Sequence, residues 1–185
     1  VLPAEEAAIP EYRTLWGGVL REKPEHMTHL NGDVLVPKTH PRILFRGKMD
    51  SLEGEIMLCQ LNCPEFRAEL GEILALARQV LRCEVLEEPL PDGKLCGLTQ
   101  QELRRHSHFP QEFYGQSHFM PAYTDGPELL SLNRCRSACR EAELAAAQAF
   151  TDAEGRCTRE DILRAMNRLS SMVYILMIRK KSRMA

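Results

Sequence analysis

Leu129–Phe150 reads LLSLNRCRSACREAELAAAQAF, and the fold turns on how this stretch is taken. As a helix at about 100° per residue, it gathers Arg136, Arg140 and Glu143 within roughly 60° of one another. Arg134 and Glu141 then point the other way, toward water. Ala142, Ala145, Ala146, Ala147 and Ala149 favour helix and leave room for closely packed neighbours. A helix built to pack therefore carries two guanidiniums and a carboxylate in one row. A solvated charge stripe has the same spacing, so the rest of the chain has to decide between the two.

On the C-terminal side, Gly155 separates this helix from a last one starting at Thr158, where Asp161 completes a near capping box. Ile162, Met166, Leu169, Val173, Leu176 and Met177 keep the helical period. Asn167 and Arg168 interrupt it with polar groups; Asn167 is either a ligand group or a buried amide satisfied by a carbonyl. Lys180, Lys181 and Arg183 suit a helix C-terminus. On the N-terminal side lies His106–Gly126, rich in aromatic residues and broken by glycines and prolines, with Met120 and three histidines. It shows no helical periodicity. A loop this long either binds a ligand or packs as a lid over the core.

Further back, Thr99-Gln-Gln-Glu102 has capping-box spacing and predicts a short helix through Arg105. Pro89–Gly93 ends a long amphipathic helix, Glu65 to about Leu86, with Leu70, Ile73, Leu74, Ala77, Leu81 and Val85 on its apolar stripe. Asp50 is expected to open another helix, marked by Leu52, Ile56, Cys59 and Cys63. His26–Arg46 reads as an extended loop with a turn at Asn31-Gly32 and room for a hairpin. Lys38, Arg42 and Arg46 recur every fourth residue and in an extended segment would share one side; a solvated edge has the same pattern. Residues 1–24 form an N-terminal extension without a secure element, and residues 25–185 form the domain. The architecture expected is all-α, a five-helix bundle of four long helices and one short, with long ligand-binding loops.

A net charge of −2 gives no electrostatic case for a nucleic-acid partner. Met172–Ile178 is far shorter than the roughly 20 apolar residues of a membrane span, so no membrane partner is expected. Val1–Ile9 lacks the basic start and apolar core of a signal peptide, and the opening Val implies a trimmed start. The seven cysteines include Cys59/Cys63 and Cys135/Cys139, each pair four apart. They read as free thiols of a reducing cytoplasm or, less simply, as metal ligands. No C-x-x-C or H-x-x-x-H spacing occurs, and no metal is assigned.

Three blocks resemble the PduO/EutT superfamily of ATP:corrinoid adenosyltransferases. The first runs from Thr28-His-Leu-Asn-Gly32 through Lys38-x-x-Pro41-Arg42 to Gly47-Lys-Met-Asp50-Ser-Leu52. The second is Arg136-x-x-Cys-Arg140-x-x-Glu143, similar to the family's R-x-x-x-R-x-x-E. The third, Met166-Asn167-Arg168-Leu169-Ser170, resembles the family's I-N-R-L-S. His118-Phe119-Met120-Pro121 sits where the family has an F-x-L-P turn. The blocks cover about Thr28 to Arg179 in order, and KPEHMTHLNG and REAELAA look most like the ethanolamine-utilisation (EutT-type) branch. Two departures stand out. The family's T-x-x-G-D-x-G phosphate loop is replaced by Arg21-Glu-Lys23-Pro-Glu-His26-Met, and the adjacent cysteines of the metal motif in some branch members are missing.

The resemblance implies transfer of the 5′-deoxyadenosyl group of ATP, with Mg2+, to the cobalt of reduced cobalamin for ethanolamine utilisation. It assigns Thr28, Lys38, Arg42, Arg140, Glu143 and Asn167 to ATP, and Arg136, Arg140 and Asp50 to catalysis. Phe119, or Met120 one residue later, would contact the corrinoid as an apolar wedge. The family is commonly trimeric, with the positions that Asp50 and Arg136 match pairing across a subunit boundary; a dimer is the alternative for this branch. A reductase and an adenosylcobalamin-dependent lyase are implied partners, in the cytoplasm with association with a bacterial microcompartment. The rival readings are a non-catalytic corrinoid carrier or chaperone of the same fold, a metal-storing bundle and a scaffold. The carrier needs no triphosphate site, the metal store needs E-x-x-H pairs that the chain lacks, and the scaffold binds neither ligand.

Overall fold

The computed structural model describes residues 10–184; the signal-peptide reading of Val1–Ile9 falls outside them. Four long helices dominate. They are α1 (Pro41–Asn62), α2 (Arg67–Val85), α5 (Gly126–Ala149) and α6 (Glu160–Ser182), with short helices α3 (Gln100–His108) and α4 (Pro110–Tyr114) between α2 and α5. The protein is mostly helical, but not all-α. Strands β1 (Tyr12–Thr14), β2 (Val19–Leu20), β3 (Met27–Asn31) and β4 (Val34–Pro37) form one sheet in the order β2-β1-β4-β3. The expected hairpin exists as the antiparallel β3–β4 pair. Its turn uses Gly32 at φ +48°, a conformation glycine adopts at little cost. The rest of the sheet escaped the sequence because its strands are too short to show a period of two. The parallel β1–β4 pairing, Arg13 to Val34 and Thr14 to Leu35, also joins residues distant in the chain.

The structure corrects the start of α1. Pro41 occupies the first turn, where its missing N–H costs nothing. The His40 side chain caps the helix, its Nδ1 accepting from Arg42 N at 3.2 Å. Burial first, then the charges of Arg42 and Arg46, push the His40 imidazole below its usual range, which leaves Nδ1 free to accept. Asp50 therefore lies mid-helix and does not open it. Lys38, Arg42 and Arg46 do not line an extended strand, because only Lys38 precedes the helix.

The apolar pattern otherwise places the core well. Leu52, Ile56, Cys59 and Cys63 are buried, as are Ile162, Met166, Leu169, Val173, Leu176 and Met177 of α6. Each such large side chain contributes about 1.5–3 kcal/mol when removed from water. α5 packs between α1 and α6, and its small residues Ala138, Cys139, Ala142 and Ala146 form the buried face. The stripe of α2 drifts at its C-terminal end. Val80, Cys83 and Glu84 are buried there, while Leu81 and Val85 are only half-buried. Glu84 is drawn inward by two arginines, Arg42 at 2.5 Å and Arg46 at 2.6 Å.

The Thr99 capping box forms, with Thr99 Oγ1 accepting from Glu102 N at 3.2 Å and Glu102 accepting from Thr99 N at 2.8 Å. The Thr158 box does not. α6 begins at Glu160, Thr158 donates to the Phe150 carbonyl, and Asp161 accepts from Leu90 N and pairs with Arg159. The His106–Gly126 segment is less irregular than its sequence reads. It holds the end of α3, all of α4 and a 3₁₀ turn at Tyr123–Asp125, leaving Gly115–Ala122 as the non-helical run. Among the described residues no helix is long and apolar enough to cross a membrane.

Candidate functional site

A cleft of about 1010 Å³ opens between α3, α5, α6 and the run His118–Pro121. Helical spacing explains what reaches it. Arg136 and Arg140 project from successive turns of α5, and Asn167, Ser170, Ser171 and Tyr174 come from the polar face of α6. Phe119 and Met120 line the loop side. Phe119 also packs on the core, with Lys181 Nζ 5.5 Å above its ring. Met120 is 89% exposed, so the loop presents one anchored and one free apolar side chain. Glu143 stands behind the cleft and accepts from Asn167 Nδ2 at 3.2 Å.

Charge is the site's plainest property. Arg104, Arg136, Arg140 and Arg168 all line the cleft, and among the described residues no Asp or Glu does. Neither Arg136 nor Arg140 makes an ion pair among the described residues, whereas Arg134 on the outer face is held by Glu55 and Glu141. Arg136 instead lies over the Tyr174 ring, 5.2 Å from its centre. The Tyr174 hydroxyl is 2.7 Å from His118 Nδ1, and His118 Nε2 is 3.2 Å from the His108 carbonyl. A carbonyl only accepts, so Nε2 carries the proton and Nδ1 accepts from Tyr174. Burial pushes the Tyr174 phenol above its usual range, the Arg136 charge partly opposing it. The loop is thereby tied to α6, and α6 to the Arg136 guanidinium.

The structure brings Arg136, Arg140, Asn167, Phe119 and Met120 together, with Glu143 bonded to Asn167. It does not bring Thr28, Lys38, Arg42 or Asp50 to this cleft. Thr28 is half-buried in β3 opposite Val36, and Lys38 is exposed after β4. Arg42 is occupied by Glu84, Glu87 at 2.8 Å and the Glu84 carbonyl at 2.9 Å. Burial works against its charge, but the bonds to Glu87 and Glu84 prevail and raise its pKa. Asp50 is exposed on α1 and makes no ion pair among the described residues. Sequence reasoning missed Arg104, His118, Arg168 and Tyr174 as site residues. Tyr174 was findable, because it stands seven residues beyond Asn167 on the same helix face. His118 and Arg104 gave no such signal, since their places depend on how α3 and the loop fold back on α6. Among the described residues no group of three or more His, Cys, Asp or Glu could hold a metal ion.

The family model for cobalamin adenosyltransferase matches residues 19–180. The chain is 36% identical over 158 residues to the corrinoid adenosyltransferase EutT of Salmonella typhimurium and 35% identical over 158 residues to that of Escherichia coli K12. Each alignment covers 85% of this chain and 59% of the relative, so the chain spans about three-fifths of their length. No solved structure matches it significantly. A match over most of the chain, together with relatives at this identity, shows that the chain belongs to the cobalamin adenosyltransferase family.

Proposed function

We propose that this chain makes adenosylcorrinoid from ATP and a reduced corrinoid. Co(I) donates an electron pair to C5′ of ATP, the cobalt–carbon bond forms as the C5′–O bond breaks, and the triphosphate leaves with that bond's electrons. The metal of the corrinoid is the nucleophile, so no protein side chain need attack. The observation that carries this reading is a cleft lined, among the described residues, by four guanidiniums and no carboxylate, with an apolar loop as its other wall. Arg140 and Arg136 suit the triphosphate, whose negative charge grows at the departing oxygen. Asn167 lines the same space, its amide donating to Glu143 and accepting from Arg168. Phe119 or Met120 would exclude water from one face of cobalt. Mg2+ is expected to come in on the phosphate oxygens, because the described residues of the cleft offer no carboxylate to hold it.

Thr28, Lys38 and Asp50 belong to the ATP site in this reading only through a second copy of the chain. Asp50 and Arg136, each without an ion pair among the described residues, would then close the site across a trimer or dimer boundary. Arg42 is reassigned to holding the fold. Residues 25–185 make up the adenosyltransferase domain, extended by β1 and β2 from residues 1–24. Ethanolamine utilisation, a cytoplasmic or microcompartment setting, and reductase and lyase partners follow from kinship with the ethanolamine branch. The test is an absorbance assay with chemically reduced cobalamin and ATP, run beside light scattering. Growth of the adenosylcobalamin spectrum in an oligomer is expected; no spectral change removes the activity, and full activity in a monomer removes the shared site.

A further inference from the structure

Arg168 is the odd cation of this molecule. Its Nε is buried and has no hydrogen-bond partner among the described residues. Its other nitrogens reach only neutral oxygens, Asn167 Oδ1 at 3.0 Å and Gln100 Oε1 at 3.3 Å. The acid facing it, Asp92, is engaged by the Gln100 amide and lies 3.7 Å from Arg164. Arg104 and Arg164 add like charge from α3 and α6, and burial and these two cations together lower the pKa of Arg168. A half-buried guanidinium in such company is costly to leave without an anion.

Its place in the fold says where that anion would come from. Arg168 stands in the wall between the large cleft and a smaller cavity of about 270 Å³. Glu72, Asp92 and Asp161 line the smaller cavity against a single further cation, Lys94, so the acids outnumber it there. The cleft side has Arg104 beside Arg168 and no acid among the described residues.

We propose that Arg104 and Arg168 form a phosphate subsite on the α3–α6 wall of the cleft, distinct from the Arg136–Arg140 row of α5. The subsite rests on the reading of the cleft as a nucleotide and corrinoid site. Its ligand is a phosphate group, which a planar guanidinium grips through two parallel N–H bonds. Two sources carry such a group here, the far end of the triphosphate and the phosphodiester of a corrinoid's nucleotide tail.

Calorimetric titration of the full chain with inorganic tripolyphosphate, cobalamin and cobinamide separates them, because cobinamide lacks the phosphodiester. Arg104→Gln and Arg168→Gln are each expected to weaken one phosphate-bearing ligand by about ten- to a hundred-fold. Arg168→Lys, which keeps the charge and loses the fork, should recover only part. Weaker tripolyphosphate binding assigns the subsite to ATP. Unchanged tripolyphosphate with weaker cobalamin and unchanged cobinamide assigns it to the corrinoid tail. Arg104 is exposed, so Arg104→Gln decides the matter even if Arg168→Gln unfolds. Wild-type affinity for all three ligands in Arg104→Gln, with tripolyphosphate weakened by Arg140→Ala, overturns the subsite and leaves the parent reading intact. Failure of the wild type to bind any of the three overturns both.

Discussion

Two groups of arginines in this protein sit in opposite electrostatic circumstances. At the junction of α1, α2 and the sheet, Arg42 and Arg46 converge on Glu84, which is 0% exposed. Every direction there is answered: Arg46 also donates to the Leu30 carbonyl at 2.7 Å, and Arg42 to Glu87. In the cleft, Arg104, Arg136, Arg140 and Arg168 face one another's charge without a carboxylate among the described lining residues. The same side chain thus does two jobs, told apart by partners and not by residue type. Paired guanidiniums hold elements together; unpaired ones leave room for an anion from outside.

The largest effect should come from breaking the paired group. Glu84→Gln leaves two partly buried guanidiniums around a neutral amide, at a cost of about 3–5 kcal/mol. Urea denaturation should show that loss, while a refolded sample at low temperature retains tripolyphosphate affinity. A variant as stable as the wild type would mean that the cluster does not hold α1 to α2. In the unpaired group the opposite pattern is expected. Arg140→Ala should keep the melting temperature and lose roughly 1.5–3 kcal/mol of ATP binding or barrier lowering. Near wild-type turnover at saturating ATP would remove Arg140 from the chemistry.

A second paired site sharpens the contrast through pH. The bond from Arg159, helped by Leu90 N, holds Asp161 down at a pKa of about 2. A carboxylate depressed in the folded state contributes stability above its unfolded value, near 3.8, and loses it as pH falls toward 2. Wild type should therefore shed on the order of 2 kcal/mol between those limits that Asp161→Asn never had. Parallel acid-unfolding curves for the two proteins would show that the pair is idle.

The contrast also explains what could be read in the sequence. The long helices were legible because their apolar residues recur every three or four positions, as in Ile162–Met177, and the Arg136–Arg140–Glu143 row followed from the same period. Arg42 is ambiguous in the sequence because its spacing from Lys38 fits a strand as well as a helix. Only the placement of Glu84, 42 residues away, shows that its charge is answered. The sheet was lost for a related reason, since β1 gains meaning only when β4 lies beside it. Local period reaches one element at a time. Arg168 and Tyr174 sit on a helix that was correctly placed, yet what they touch comes from α3, α5 and the loop.

The smallest expected effect tests how the cleft wall is kept in order. Tyr174→Phe deletes the hydroxyl that donates to His118 and keeps the ring beneath Arg136. If the tie matters only to stability, the cost is about 1 kcal/mol, the usual net worth of one hydrogen bond. The geometry predicts more than that in one respect. His118 immediately precedes Phe119 and Met120, so freeing its imidazole loosens the apolar wall without touching Arg140. Corrinoid affinity should then fall several-fold while tripolyphosphate affinity stays at the wild-type value. Tyr174→Leu, which also removes the ring under Arg136, should weaken both ligands. Equal losses for the two ligands in Tyr174→Phe would show that the hydroxyl supports the whole cleft and that the loop has no separate anchor.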